Sequence, residues 1–433
     1  MQSLARTLAV SALTLLPALG MPCAQAVSPP KVDDRLLPKP ARPSPPSPTV
    51  QREVCATMAT GAAPGPSQFA NVDDLPRIWR LSRGAGQRVA VIDTGISRHP
   101  LLPDVVPGGD YVSTGDGTQD CDAHGTLVAG IIAAATPSDH AASFSGLAPE
   151  ATLIAIRQSS AKFASANDRS RAGIGDVDTL AKAVRTAADL GASVINISSV
   201  ACVPVASTLD DRALGAALAY AVDVKNAVVV AAAGNSGGAQ CPSQRPDATW
   251  ETTTVAVSPA WYDDYVLTVG SVNAQGKPSA FTLAGPWVDV AARGEEVGSL
   301  TSETLSGTSY AAPVVSGLAA LIRARFPSMT ARQVMQRIES TAHHPPAGWD
   351  PLVGNGTVDL LAAVSTDAGP PASAAAPSPL PIATTPPGAP PKSHARETAV
   401  RGAAICVAAL TVALAIGAAR VRLRRSREGV PGG

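Results

Sequence analysis

The sequence has 433 residues, and its 34 Lys and Arg balance 34 Asp and Glu, so the formal charge at pH 7 is zero. This balance excludes the broad basic footprint of a nucleic-acid-binding protein. Hydrophobic residues make up 45% of the chain and aromatic residues only 3%, so the core must be built mainly from Ala, Val, Leu and Ile.

The N-terminal residues 1–26 have the features of a secretory signal peptide. Arg6 precedes an apolar run at 8–19, and Ala24-Gln25-Ala26 supplies small residues for cleavage after Ala26. We therefore expect the rest of the chain to be exported. Residues 27–67 follow as a Pro-rich N-terminal extension, because eight prolines fall between Pro29 and Pro48.

The segment 68–365 reads as one large α/β domain. Short apolar runs alternate with longer helical patterns, which is typical of a mostly parallel sheet with helices on both faces. The predicted strands are 87–92, 152–157, 194–197, 227–232 and 267–272, and the predicted helices are 176–190, 210–225, 309–326 and 330–341. The helices at 176 and 210 each begin near an Asp, a favoured N-cap residue.

The C-terminal residues indicate a membrane anchor. Residues 366–398 form a second Pro-rich linker, which would reach on the order of 100 Å if it were fully extended as polyproline. The predicted transmembrane helix at 399–420 contains an uncharged apolar run at 402–419, about 27 Å long as a helix. The basic tail at 421–433 is expected in the cytoplasm by the positive-inside rule, which leaves the large domain outside.

Cysteine usage agrees with export. Cys23 lies in the signal peptide and Cys406 in the predicted span, which leaves four cysteines in the exported part. An even number in an oxidising compartment indicates two disulfides, and four cysteines allow three pairings. We favour Cys55–Cys121, which ties the extension to the domain, and Cys202–Cys241, which closes a local loop. A metal site is the weaker alternative because no C-x-x-C spacing occurs.

Three motifs supply an acid, a base and a hydroxyl in that order along the chain. They are Val91-Ile92-Asp93-Thr94-Gly95, His124-Gly125-Thr126 and Ser306-Gly307-Thr308-Ser309. A serine hydroxyl becomes a good nucleophile when an imidazole accepts its proton, and a carboxylate must hold that imidazole in the right tautomer. Each motif alone also fits an ordinary turn or cap. A lone Asp-Thr-Gly does not make an aspartic protease, which needs two such loops.

These motifs resemble those of the subtilisin-type serine proteases, the subtilases, and Ala232-Ala233-Gly234-Asn235 matches a fourth segment of that family. The resemblance implies Asp93 as the orienting carboxylate, His124 as the general base and Ser309 as the nucleophile. It implies an oxyanion hole made by Asn235 and the backbone N–H of Ser309. It further implies a doubly wound, mostly parallel sheet with helices on both faces, and an acyl-enzyme mechanism.

The segment after Ser198 departs from the family pattern. It reads Ser199-Val200-Ala201-Cys202 and lacks the expected glycine pair, so we expect a narrowed or reshaped specificity pocket. Many subtilases bind calcium, but no clustered Asp and Glu residues here have convincing ligand spacing. No cofactor is therefore expected, and calcium stays the one open alternative.

The order of segments resembles that of the mycosins, the membrane-anchored subtilases of actinobacterial type VII (ESX) secretion systems. This resemblance implies a single-pass cell-membrane serine endopeptidase with an extracytoplasmic catalytic domain and a cytoplasmic C-terminus. Its expected partners are a protein or peptide substrate and the type VII secretion membrane complex. Two alternatives stay open: a structural component of that complex whose proteolysis is dispensable, and a general surface protease.

Overall fold

A computed structural model of the chain describes residues 26–58, 74–135, 144–168, 173–207, 209–237, 241–301 and 303–365. The chain divides into two compact units, Met1–Ala368 and Gly369–Gly433, and all described residues belong to the first. The predicted signal peptide, apart from Ala26, and the predicted linker, transmembrane helix and basic tail lie outside the described residues. Within the described ranges, none of the helices combines the length and the apolar character needed to cross a membrane.

Eleven strands and seven α-helices make up the described part of the chain. The strands are β1 Thr49–Gln51, β2 Arg88–Asp93, β3 Val105–Asp110, β4 Thr152–Arg157, β5 Phe163–Ser165, β6 Val194–Ile197, β7 Ala201–Pro204, β8 Val228–Ala232, β9 Val255–Ser258, β10 Leu267–Val272 and β11 Val290–Arg293. The helices are α1 Leu75–Leu81, α2 His124–Ala133, α3 Val177–Asp189, α4 Arg212–Ala219, α5 Thr308–Arg325, α6 Ala331–Ser340 and α7 Leu360–Ser365.

Seven strands form the main sheet, in the order β11-β10-β8-β6-β2-β4-β3, and every neighbouring pair is parallel. Val89, Ala90, Val91 and Ile92 of β2 are all fully buried. Because successive strand side chains point to opposite faces, both faces of the sheet are covered. The predicted α/β architecture with a parallel sheet is confirmed.

The strand order reverses at β2. The chain runs from β2 to β3 and β4 on one side, and then to β6, β8, β10 and β11 on the other. In open parallel sheets, ligands and reacting groups gather beyond the carboxyl end of the strands at such a reversal. Asp93 is the last residue of β2, so the topology places it at this point.

One predicted helix is wrong in its boundaries. The helix predicted at 210–225 begins at Arg212, and its last turn, Tyr220–Val224, is a π-helix. Asp210 is not its cap. Asp211 holds the N-cap position but makes no capping hydrogen bond, because its buried carboxylate accepts hydrogen bonds from Ser258, Trp261 and Tyr262 instead.

The N-terminal extension crosses the surface of the domain. Val27 N–H donates to the carbonyl of Trp250, and the Arg185 side chain donates to the carbonyl of Pro38. Further along, β1 pairs with β5 in an antiparallel ribbon. The extension is therefore attached to the domain at several separate points.

Two disulfides cross-link separate segments of the described chain. They join Cys55 to Cys121 and Cys202 to Cys241. These are the two pairings favoured from the sequence. The first links the extension to the loop before α2, and the second links the β7 ribbon to the segment after β8. In the chain-entropy account, closing loops of this length stabilises the fold by up to about 4 kcal/mol each.

Candidate active site

Asp93 and His124 are joined directly. Asp93 is 0% exposed at the end of β2, and His124 is the first residue of α2. His124 Nδ1 lies 2.7 Å from Asp93 Oδ1. A carboxylate can only accept, so Nδ1 carries the proton and Nε2 presents its lone pair. This is the tautomer that a general base needs.

The surroundings of His124 raise the pKa of its imidazole above the usual 6.5. Burial acts in the opposite direction, because it disfavours the charged ring. The charge and hydrogen bond of Asp93, followed by the charges of Asp120 and Asp122, outweigh burial. The site therefore favours the imidazolium that forms when His124 accepts a proton.

Asp120 holds the loop that leads into α2, and the sequence analysis did not single it out. Its side chain accepts hydrogen bonds from the Thr94 hydroxyl at 2.8 Å and the Thr126 hydroxyl at 2.6 Å, and from the backbone N–H groups of Asp122, Ala123 and Thr126 at 2.8–3.0 Å. Ala123 has a left-handed backbone (φ 66°) and gives α2 no side-chain cap. Asp120 takes over that capping role, and burial raises its pKa.

Thr94 connects this loop to β2. Its hydroxyl donates to Asp120 and accepts from the backbone N–H of Gly125, while its own N–H donates to Asp93 Oδ1 at 2.7 Å. Thr94, which follows Asp93, is therefore hydrogen-bonded to Asp120 and Gly125, which lie before and after His124 in the chain. Asp120 lies outside the sequence motifs, so the motifs alone did not reveal its role.

Other parts of the chain also contact the loop before α2 and hold it in place. Cys121 forms the disulfide to Cys55, and its carbonyl accepts from Ala56 N–H at 2.8 Å. On the next residue, the Asp122 carboxylate accepts from the Ser160 hydroxyl and from Ala161 N–H. The N-terminal extension thus contacts the residues directly before His124.

Ser309 lies in the first turn of α5, and the described structure explains how that helix accommodates Pro313 four residues later. A proline has no N–H to donate to the carbonyl at i−4, which here is the carbonyl of Ser309. The Ser198 hydroxyl donates to that carbonyl at 3.0 Å instead. Asn196 donates to Ser198 and accepts from Ser316, so the end of β6 holds the serine backbone.

Ser309 and Asn235 line one small space beside Gly307. A Cβ added at Gly307 would lie 3.1 Å from Ser309 Oγ and 3.5 Å from Asn235 Nδ2. Asn235 Oδ1 accepts from the N–H and hydroxyl of Thr308, which turns Nδ2 to the other side. The N–H of Ser309 has no acceptor within the helix because it lies in the first turn. Among the described residues, neither group donates a hydrogen bond, so both can donate to a further acceptor.

The helices that carry His124 and Ser309 pack against each other. α2 packs against α5, and the ring of Tyr310 lies 5.3 Å from that of His124. Among the hydrogen bonds of the described residues, none joins Ser309 Oγ to His124. Such contacts are commonly long in proteins without substrate and shorten when substrate binds.

The segment predicted to narrow the specificity pocket lies against Gly234, the residue before Asn235. A Cβ added at Gly234 would lie 3.5 Å from Val200 Cγ2 and 3.6 Å from Cys241 Sγ. The Cys202–Cys241 disulfide and the pairing of β7 with β9 fix this wall. Val200 and the Cys202–Cys241 disulfide therefore pack against Gly234, the residue before Asn235.

Within the described ranges, no three His, Cys, Asp or Glu side chains are grouped so that they could hold a metal ion.

The chain matches a known protein family and a relative of nearly the same length. Residues 84–356 match the subtilase family. The chain is 66% identical to mycosin-4 of Mycobacterium tuberculosis over 450 residues, with 99% of this chain and 98% of the relative covered.

Two solved structures extend the comparison to three dimensions. The MycP3 protease from the type VII (ESX-3) secretion system is 44% identical, with 79% of this chain and all of that chain covered and a TM-score of 0.71. A chain in the structure of an intact ESX-5 inner membrane complex is 37% identical, with 91% and 100% covered and a TM-score of 0.73. Both superpositions extend over most of the chain.

Replacing Asp93 by Asn should shift the pH dependence of the site as well as lower its rate. A general base acts as a neutral imidazole, so reactivity that depends on His124 should rise with pH through its pKa, which Asp93 raises. Without that charge, the midpoint should move to lower pH, and the rate should fall by about 10⁴-fold, as at a serine-protease triad. The pH profile of labelling by a fluorophosphonate probe measures both. Asp247→Asn, an exposed carboxylate, is the control, and an unchanged midpoint in Asp93→Asn would contradict this assignment.

Replacing Asp120 by Asn should lower the rate by about 10²-fold while leaving the protein folded. An amide has one acceptor oxygen, so it cannot accept from both Thr94 and the Thr126 groups, and the His124 loop should lose its fixed position. Asp116→Asn is the matched control because it removes an exposed carboxylate from the same loop. Equal labelling rates and equal thermal melts for the two variants would show that Asp120 does not position His124.

Proposed function

The chain belongs to the subtilase family of serine proteases, and we propose that Asp93, His124 and Ser309 are its catalytic triad, with Asn235 in the oxyanion hole. One observation carries this proposal. The Asp93–His124 hydrogen bond of 2.7 Å and the shared space of Ser309 Oγ and Asn235 Nδ2 lie at the packed ends of α2 and α5. An acid, a base, a hydroxyl and an amide donor therefore meet at the carboxyl end of the sheet.

In the proposed reaction, His124 Nε2 accepts the proton of Ser309 Oγ as this oxygen attacks the peptide carbonyl. The carbonyl oxygen becomes an oxyanion and accepts hydrogen bonds from Asn235 Nδ2 and the Ser309 N–H. His124, protonated and held by Asp93, then donates its proton to the leaving amine as the peptide bond breaks. Water, deprotonated by His124, hydrolyses the resulting acyl-enzyme and frees Ser309.

The biological setting is a proposal that rests on similarity and on sequence. High identity to mycosin-4 over nearly the whole chain and the match to a chain of an ESX-5 inner membrane complex support a role in a type VII (ESX) secretion system. Two disulfides support an oxidising compartment. We place the catalytic domain outside the cytoplasm, anchored by one helix at 399–420 with a cytoplasmic C-terminus, where it processes a protein substrate.

A second candidate function is structural. The presence of a relative in an intact ESX-5 inner membrane complex favours a domain that also stabilises such a complex, with proteolysis dispensable for assembly. A general surface protease has less support, because such enzymes are usually released, whereas the apolar run at 402–419 predicts a membrane anchor.

Labelling of the full-length protein in detergent with a fluorophosphonate probe tests the triad. Ser309→Ala should abolish labelling, and Asn235→Ala should slow it by about 10²–10³-fold, the cost of removing one oxyanion donor in subtilisin. Ser306→Ala is the matched control, because it removes an exposed hydroxyl three residues from Ser309. Probe incorporation that persists in Ser309→Ala would contradict the assignment of the nucleophile.

Complementation separates the catalytic from the structural function. In a strain lacking the gene, we expect Ser309→Ala to restore assembly of the membrane complex but not processing of its secreted substrate. Assembly is followed by the recovery of the intact complex, and processing by the size of the secreted protein. If Ser309→Ala restores neither, although its own abundance is normal, the two functions are not separable.

A further inference from the structure

The side chain next to the proposed nucleophile makes a contact that the proposed mechanism does not use. Tyr310 directly follows Ser309, and its ring centroid lies 5.3 Å from that of His124, with the two planes inclined at 46°. Tyr310 is half-buried and packs against the hydrophobic core. Its hydroxyl makes no hydrogen bond within the described part of the chain. The ring, rather than the hydroxyl, therefore makes the contact with the imidazole.

A hydrogen bond at one atom does not fix the orientation of an imidazole ring. The bond between Asp93 and Nδ1 holds one edge of His124, but the ring can still swing about the line that joins these two atoms. Ionisable groups approach His124 from three elements: Asp93 from β2, Asp120 and Asp122 from the loop before α2, and Tyr310 from α5. Of these, Tyr310 is the one on the helix that carries Ser309.

We propose that Tyr310 is a positioning residue, whose ring limits the swing of His124 and keeps Nε2 turned toward Ser309 Oγ. This inference rests on the proposed triad, and it names the contact that aligns two of its members. The Ser309–His124 pair has no hydrogen bond among the described residues, so another interaction must set its geometry. Tyr310 is suited to this, because the same turn of backbone carries the nucleophile and the ring that limits the movement of the base.

The backbone of that turn is well fixed. Tyr310 N–H donates to the carbonyl of Gly307 at 3.0 Å, and the carbonyl of Ser309 accepts from the Ser198 hydroxyl at 3.0 Å. A Cβ added at Gly307 would lie 3.6 Å from Tyr310 Cδ2, close to the same point that borders Ser309 Oγ and Asn235 Nδ2. The ring therefore borders both the imidazole and the space where the scissile carbonyl would lie.

Tyr310 can do this without adding charge to the site. Burial, followed by the negative charges of Asp93 and Asp120, raises the pKa of its phenol to about 12. The ring stays neutral throughout the range in which His124 titrates. It thus restrains the imidazole without competing with Asp93 for its proton.

The first test compares Tyr310→Leu with Tyr310→Phe in the full-length protein. Leu keeps apolar bulk but has no ring, whereas Phe keeps the ring and removes the hydroxyl. The maximal rate of fluorophosphonate labelling should fall by about three- to tenfold in Tyr310→Leu, with the half-saturating probe concentration unchanged. Tyr310→Phe should label like the wild-type protein. Tyr310→Met, which also lacks a ring, is the second variant if the Leu protein does not fold.

The second test reads the position of His124 without any turnover. Diethylpyrocarbonate modifies accessible imidazoles, and peptide mass spectrometry follows the modification of His124, with the exposed His343 and His344 as internal references. The modification rate of His124 relative to these references should rise severalfold in Tyr310→Leu and stay at the wild-type value in Tyr310→Phe. Loss of the ring should expose the imidazole, since the ring contacts it directly.

The outcomes separate the two proposals. Wild-type protein that labels no faster than Ser309→Ala would refute the proposed function, while the modification rates would still decide whether Tyr310 restrains His124. Wild-type values for Tyr310→Leu in both tests would overturn the positioning role. A Tyr310→Phe protein as impaired as Tyr310→Leu would overturn it as well, because the hydroxyl rather than the ring would then carry the effect.

Discussion

The site depends on one buried carboxylate. Asp93 is 0% exposed at the reversal of the strand order, and its Oδ2 has no hydrogen-bond partner among the described residues. Burying a charge is unfavourable unless other groups solvate it. Here His124 Nδ1 and the Thr94 N–H both donate to Oδ1, at 2.7 Å each. The start of α2 must therefore lie directly over the end of β2, and Asp120 and Thr94 hold it there.

The two halves of the site are fixed in different ways. The half with Ser309 is built into the sheet, because Asn196 and Ser198 at the end of β6 replace the hydrogen bond that Pro313 cannot make. In the other half, His124 directly follows a loop. Asp120 holds this loop by hydrogen bonds, and the Cys55–Cys121 disulfide links it to the N-terminal extension. The extension is thus part of the framework that holds the proposed base. The extension is attached to the domain at several separate points, which suits a segment that stays bound as part of the folded structure.

Much of the centre of the molecule could be predicted from sequence. The predicted strands 152–157, 194–197 and 267–272 have the observed boundaries, because strands buried on both faces are continuous apolar runs. The helix that carries His124 was not predicted, since Gly125–Ala133 is buried on all sides and has no amphipathic period. The role of Asp211 was missed because its partners lie about 50 residues away. Tyr310 was missed for a related reason, because its contact with His124 arises only when α2 and α5 pack together. Asp120 was missed although most of its hydrogen-bond partners lie within six residues, because its link to Thr94 forms only when the loop packs against the end of β2.

The structure also bears on whether proteolysis or scaffolding is the main role of this domain. Ala123 has a left-handed backbone directly before His124, which costs on the order of 1–3 kcal/mol for a residue other than glycine. The buried Asp93 oxygen without a partner adds a further cost. An apolar side chain at 93 would remove the second cost, and glycine at 123 would remove the first. Both costs fall on residues around one imidazole, which supports the proposed catalytic role of this part of the molecule.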